Sequence, residues 1–376
     1  MTDKNFINFH ILISHSPSCL NRDDMNMQKS AIFGGKRRVR ISSQSLKRAM
    51  RNSAYYQQHF GTASIRTRDH DALKTKLLDV LSHRYEPELI ETAIAWIIDS
   101  KKDAKKDGDA TSTDKEKKIP LAPWVIEEVA YFCEEIKKGQ AGGLDEKKLA
   151  KQIEKDSQAL RQAIGTAKDI ALSGRMATSG LMSEVGKVDG AMAIAHVITT
   201  HTVDADIDWF TAVDDLQAQG SGHLDTQEFS SGVFYRYASL NIKQLQENLG
   251  DVSREDALNI AKHLLHLLAT VVPTAKQQSH AAHNLADLAL ISFSDLPISL
   301  ANAFEEPIKA PYHDGGFLKP SIDALLTYWQ DVHTGYGLDE HCALFSLKKS
   351  DLAADIQRFN TLENLENWIA NNAKVN

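Results

Sequence analysis

Lys29–Arg51 reads KSAIFGGKRRVRISSQSLKRAMR, and its grammar decides how the rest of the chain is read. Gly34-Gly35 is a turn signal. Arg38, Val39, Arg40 and Ile41 alternate basic and apolar, the mark of a half-buried strand. Ser42 and Ser43 are N-cap residues for a helix predicted from Gln44 to Tyr55. On that helix Lys47, Arg48 and Arg51 fall within one arc, and Leu46 and Met50 fall on the neighbouring arc that would pack inward. A turn, a basic strand and a capped basic helix follow one another within 23 residues.

Working outward, no Asp or Glu occurs between Met25 and Arg68, although the 376-residue chain carries a formal net charge of -7. A one-signed island on an acidic chain predicts a polyanion partner, repelled elsewhere on the surface. The N–H groups of a helix start, with lysines and arginines beside them, suit phosphate oxygens. The plainer alternative is a solvated basic helix, but it lacks acidic neighbours in sequence to pair with. Upstream, Asn5–Ser14 (NFINFHILIS) reads as a strand that Ser16-Pro17-Ser18 should end, followed by the polar loop NRDDMNMQKS. Asp23 and Asp24 in that loop would suit metal-assisted phosphodiester cleavage; turn capping or arginine orientation is the simpler use.

Length allows two or three substructures, and 42% hydrophobic with 25% charged residues is ordinary globular composition. Cys19, Cys133 and Cys342 are far apart and odd in number, which predicts no disulfide framework and a reducing cytoplasm. The N-terminus lacks the long apolar run of a signal peptide or membrane span. Downstream of Arg66 the text turns helical, in LKTKLLDVLSHRY, PELIETAIAWIID, PWVIEEVAYFCEEIKK and Glu146–Ala163. The mixed-charge segment Ser100–Lys118 interrupts these and reads as a surface insertion.

A glycine- and methionine-rich stretch follows, with Gly174, Gly180, Gly186 and Gly190 permitting close backbone approach; it matches no P-loop or dinucleotide fingerprint, so no nucleotide cofactor is expected. Arg175 and Met176 there would offer a charge and a soft apolar surface. Strands are predicted at Ala191–Thr202, Phe229–Ile242 and Leu285–Ser294, helices at IKQLQENLG and SREDALNIAKHLLHLLATVV, and a last helix at Leu362–Asn372. Between the first two strands lies an excursion carrying Trp209, Phe210 and Leu224, suited to base stacking, protein packing or ordinary core. The pairs His263/His266 and His280/His283 have no completing ligand pattern, so no metal site is assigned.

The stretches ISHSPSCLNRDDMNMQKSAIFGGKRRVRISSQSLKRAMR, ALSGRMATSG, VDGAMAIAHVITTH, DIDWFTAVDDL and TQEFSSGVFYRYA resemble the CasC-type backbone subunit of the type I-E CRISPR Cascade complex. The likeness runs from Asn5 almost to the C-terminus. It departs at the Ser100–Lys118 loop and in the tail after Glu305. It implies an α+β fold with a ferredoxin-like, RRM-like palm (residues 1–58, 183–200 and 228–376), helical fingers (59–182) and a thumb hairpin (201–227). The aromatic stacking motifs of RNA-recognition sheets are absent, so open-sheet base readout is not implied.

The resemblance further implies a non-catalytic subunit that lines up in copies along a CRISPR RNA and leaves the bases to pair with target DNA. Its other partners would be the large, small, 5′-end and 3′-end endoribonuclease subunits of Cascade. RNA contact is implied for Arg22, Lys29, Ser42, Ser43, Gln44, Lys47, Arg48, Arg51, Ser179 and Leu224, and for Arg175, Met176, Trp209 and Phe210, which would shape the kink between segments. A metal-dependent RNA endonuclease using Asp23 or Asp24 is the alternative, since related backbone subunits of type III complexes cut RNA with a loop aspartate.

Overall fold

Phe6–Ser18 runs through the centre of a large sheet and is buried along almost its whole length, which requires cover on both faces. The computed structural model describes residues 3–97, 122–155, 157–176, 186–213, 221–313, 315–348 and 356–374, and the side chains of 146, 147, 210–213 and 221–225 are outside that description. The Ser100–Lys118 segment and Ser179 therefore lie outside the described residues. The fold is mixed α and β with a mostly antiparallel sheet, consistent with α+β. The chain divides into two compact units, residues 1–56, 193–241 and 258–376 forming one, and 57–192 with 242–257 the other.

In the first unit the sheet runs Ile356–Phe359, His341–Ser346, Leu288–Ser294, Phe6–Ser18, Ser221–Asn241, Val197–Thr199, Lys36–Ile41 and Ser30–Phe33. Neighbours along this path are antiparallel except Ile356–Phe359 beside His341–Ser346. Period-two alternation sorts the central strand's side chains. His10 and Leu12 face one way, opposite Tyr237 and Tyr235, in a core completed by Ile322, Leu325 and Trp329 of the Leu318–Tyr336 helix. Phe9, Ile11 and Ile13 face the other way, and each is fully buried.

Arg236, opposite Ile11, lies on that second face, where Nη1 donates to the Leu268 and Val271 carbonyls at 2.9 and 2.8 Å. These are the last, otherwise unsatisfied acceptors of the Arg254–Thr270 helix, so a buried cation meets the negative helix end. Burial pushes this guanidinium down to about 10, which leaves it charged at neutral pH. Each fully buried Leu or Ile on the two faces contributes about 1.5–3 kcal/mol.

Several boundaries differ from the sequence expectation. The first strand continues past Pro17 to Ser18, because a register shift between His15 and Ser18 accommodates a residue with no N–H. Ala191–Thr202 is two short strands, Met192–Ile194 and Val197–Thr199. The helix expected to Tyr55 stops at Arg51. Ser53 Oγ donates to the Met50 carbonyl at 2.7 Å and accepts from Tyr56 N–H at 3.1 Å, capping a second helix at Ala54–Phe60.

The second unit is helical. His70–Leu81, Pro87–Ile97 and Ile126–Ala141 pack around Leu77, Ile90, Phe132 and Ile136, joined by Ile164 from Gln158–Gly165. A two-stranded ribbon of Ile65–Thr67 and Ala122–Trp124 adjoins them, with Trp124 buried in the same core. The single helix expected over Glu146–Ala163 is two, Glu146–Lys155 and Gln158–Gly165. No helix among the described residues is long and apolar enough to cross a membrane.

Candidate nucleic-acid interface

Gly34 and Gly35 form the two-residue turn of the hairpin Ser30–Phe33/Lys36–Ile41, both with positive φ (57° and 68°). That is the turn whose twist suits a hairpin and whose backbone favours glycine. The two glycines are not equivalent. A Cβ on Gly34 would lie 1.8 Å from the Glu305 carbonyl oxygen, whereas one on Gly35 meets nothing within 4 Å. Gly35→Ala is expected to cost about 1 kcal/mol for the left-handed backbone alone. Gly34→Ala should lower the thermal midpoint markedly further, since backbone must move as well. Equal shifts for the two would show that the hairpin does not seat on Glu305.

The hairpin divides the basic residues. Lys36 and Arg37 are exposed, with Arg37 Nη1 donating to Ser30 Oγ at 2.8 Å. Arg38 is fully buried and donates to the carbonyls of Thr199, Phe304 and Glu305 at 3.1, 2.9 and 3.2 Å. It is a strap across the fold, so the expected basic/apolar alternation fails at that position. Arg40 is half-buried and Ile41 buried, in register with Ile198 and Val197.

Ser42 caps the following helix, Ser43–Arg51, by accepting from Ser45 N–H at 3.2 Å. Leu46 and Met50 are buried, Lys47 and Arg51 half-buried, Arg48 and Gln44 exposed. No acidic residue sits in the first turn, and Arg48 and Arg51 occupy the last, where the helix dipole favours cations. Not every amide at the helix start is open, however. Ser43 N–H donates to His196 Nδ1 at 3.1 Å, Ser45 N–H is taken by the cap, and Gln44 N–H has no partner among the described residues. Partial burial, and Arg40 nearby, hold the His196 pKa below its ordinary value, which favours the neutral acceptor form this bond needs.

The upstream loop is sewn to this helix. Asn21 Oδ1 accepts from Ser42 N–H at 2.8 Å, Asn21 O accepts from Lys29 N–H at 2.9 Å, and Lys29 O accepts from Arg40 N–H at 2.8 Å. Arg22 pairs with Gln28 in a β-bridge and donates from Nη1 to Asn26 Oδ1 at 2.8 Å. Arg22, Lys29, Ser42, Ser43, Gln44, Lys47, Arg48 and Arg51 thus belong to one continuous strand–loop–helix assembly in the first unit. Asp23 Oδ1 accepts from the backbone N–H of Met25 and of Met27, both at 2.9 Å, so this carboxylate caps the loop turn; Asp24 is exposed. Among the described residues no group of three or more His, Cys, Asp or Glu is arranged to hold a metal ion.

The remaining candidates belong to other elements. Trp209 is 68% exposed on the strand Asp206–Val213, which forms a hairpin with Ser221–Asn241. Phe210 and Leu224 lie on the same hairpin, opposite Asp225 and Thr211, with side chains outside the described residues. In the second unit Met176 is 88% exposed. Arg175 is buried and held by Glu128, at 2.7 and 2.8 Å, so its guanidinium is engaged inside the unit instead of being offered to solvent.

A family model for CT1975-like protein matches residues 7–371. The chain belongs to the CT1975-like protein family. A chain of a structure described as "CRISPR RNA-guided surveillance complex, pre-nicking" is 28% identical to this CT1975-like protein, with a TM-score of 0.75 over 98% of this chain and all of that one. A chain of a second "CRISPR RNA-guided surveillance complex" aligns over the same shares at 23% identity and a TM-score of 0.58, a likeness of fold. No curated protein sequence matches it.

Two residues that organise the basic face of this CT1975-like protein, Asn21 and His196, were not expected from sequence. Asn21 had a local signal, since an Asx side chain opening a polar loop commonly binds nearby backbone. His196 had none, being 153 residues from Ser43.

Proposed function

We propose that this chain is a non-catalytic, guide-RNA-binding subunit that repeats head to tail along a CRISPR RNA as the backbone of a type I-E Cascade complex. The observation that carries this reading is the alignment, at 28% identity across 98% of the chain, with a chain of an RNA-guided surveillance complex. The acid-free strand, cap and helix at Lys29–Arg51 supply the chemistry such a role needs. Lys29, Lys47, Arg48 and Arg51 would meet phosphates, with Arg22, Ser42, Ser43 and Gln44 completing the site. Contacts to phosphate leave sequence recognition to guide–target pairing. Within this reading the first unit is the ferredoxin-like palm, the helical unit the fingers and the Trp209 hairpin the thumb. Target DNA and the other Cascade subunits are its further partners, in the cytoplasm.

Asp23 keeps a metal-dependent cleavage reading in view, but its carboxylate already serves two backbone amides. Cleavage of RNA paired to the guide that requires a divalent metal and is lost in Asp23→Asn or Asp24→Asn would replace the proposal with that one.

A head-to-tail contact does not close on itself unless its rotation does, so the length of the row must be set by something else. A chain of net charge -7 disfavours protein-only stacking, and the RNA is then the ruler. Copies per complex should rise stepwise as the spacer is lengthened, read by native mass spectrometry of material co-expressed with a CRISPR array. A fixed copy number across spacer lengths, or a closed dimer without RNA, contradicts the proposal.

A further inference from the structure

Arg175 carries a charge that a guide RNA would attract, yet its Nε, Nη1 and Nη2 all donate to acceptors within the second unit. Nη1 and Nη2 donate to the two carboxylate oxygens of Glu128 at 2.7 and 2.8 Å, and Nε donates to the Gly186 carbonyl at 2.8 Å. Both side chains are almost completely buried, at 0% and 3% exposure. Around them the backbone closes on itself. Arg175 N–H donates to the Val188 carbonyl at 2.8 Å and Val188 N–H to the Arg175 carbonyl at 3.0 Å. Gly174 has φ +78°, and a Cβ there would sit 2.8 Å from both Gly190 N and the Val188 carbonyl oxygen. Asn248 Nδ2 adds a second tie, donating to the Ala171 and Asp189 carbonyls at 2.8 and 2.7 Å. The next residue, Met176, is almost fully exposed.

We propose that Glu128 and Arg175 are positioning residues: their buried, two-pronged pair locks the backbone clasp from which Met176 is presented to the guide RNA, and Arg175 itself makes no phosphate contact. The inference rests on the guide-RNA reading above and adds Glu128, on the first turn of the Ile126–Ala141 helix, to the machinery. Swinging Arg175 out to a phosphate would strand the Glu128 carboxylate inside the unit with no cation, an arrangement proteins avoid. The planar fork of arginine, which lysine lacks, is what a clasp of this geometry uses.

The test uses the full chain and three variants, Glu128→Gln, Arg175→Lys and the doubly apolar Glu128→Met/Arg175→Met. Hydrogen exchange at the Arg175 and Val188 amides is measured without RNA. Photocrosslinking of Met176 to a 4-thiouridine-labelled guide, and the salt dependence of guide binding, are measured with it. Glu128→Gln and Arg175→Lys should each speed exchange at the two amides at least about tenfold, and should abolish or spread the Met176 crosslink. The double variant strands no charge and should fold; its salt slope should equal that of the unaltered protein. If Arg175 held a phosphate, the double variant's slope would shrink by about 0.7, and Arg175→Lys would keep the crosslink in place; either result overturns the proposal. Unchanged exchange in Glu128→Gln overturns it as well. If the unaltered protein fails to bind guide RNA, the functional reading falls with the Met176 part of the proposal, while exchange still decides whether the clasp exists.

Discussion

Replacing Lys47, Arg48 and Arg51 together by alanine is expected to weaken guide-RNA binding by roughly a thousandfold, about tenfold for each charge-assisted contact. The same triple variant should lose about 2.1 from the slope of log affinity against log salt, at about 0.7 per phosphate contact on a single strand. The fold should survive, because Leu46 and Met50, on the neighbouring arc, bury the helix and Ser42 caps it. Two guides with unrelated spacers should lose affinity equally, because phosphates carry no sequence. Binding titrations at three salt concentrations with both guides make the measurement. Selective loss for one spacer would mean that this face reads bases, and an unchanged salt slope would mean that it is not the phosphate site.

A second large effect is expected on acidification. His10 and His15 lie on the buried central strand, and burial lowers each to about 3; Arg236 adds to the effect at His15. Their hydrogen bonds suit the neutral ring. His10 Nδ1 takes the Tyr235 hydroxyl at 2.8 Å, while that hydroxyl accepts from Leu300 N–H at 3.1 Å. His15 Nε2 lies 3.3 Å from the Arg236 guanidinium, a donor only. Because the folded pKa is depressed, the stabilisation is full above the ordinary value of 6.5 and drains away as pH falls toward about 3. Within that window the unfolded chain binds two more protons, so stability should fall by about 2.7 kcal/mol per pH unit. Urea midpoints between pH 5.5 and 4.5, above most carboxylate titration, check this. His10→Gln should reduce the slope by about half, and a flat profile would show that these rings protonate in place.

The turn of the hairpin, its second strand and the helix start were legible, whereas the first strand, Ser30–Phe33, was not read. Gly34-Gly35 encodes a turn because glycine favours two successive positive φ values there, and Ser42 encodes a helix start because its hydroxyl reaches an amide three residues on. The Leu318–Tyr336 helix was not read from the sequence, although Ile322, Leu325, Leu326 and Trp329 recur there at helical spacing in the tail after Glu305 where the family resemblance weakens. The termini of elements were less legible. The break after Arg51 turns on one hydroxyl, Ser53 Oγ, which at once donates to the Met50 carbonyl and accepts from Tyr56 N–H.

By itself the sequence determined that an acid-free basic island on an acidic chain would be displayed on a strand and a capped helix, since charge, turn chemistry and periodicity are local properties. Tertiary structure alone decided which charges face outward. Arg37 and Arg38 are adjacent and chemically identical, yet one is exposed and the other is spent on carbonyls as far as 267 residues away. Arg175 looks like a phosphate ligand until Glu128, 47 residues earlier, is placed against it. A buried guanidinium must find acceptors to offset its lost hydration, and where those acceptors stand is a property of the folded chain.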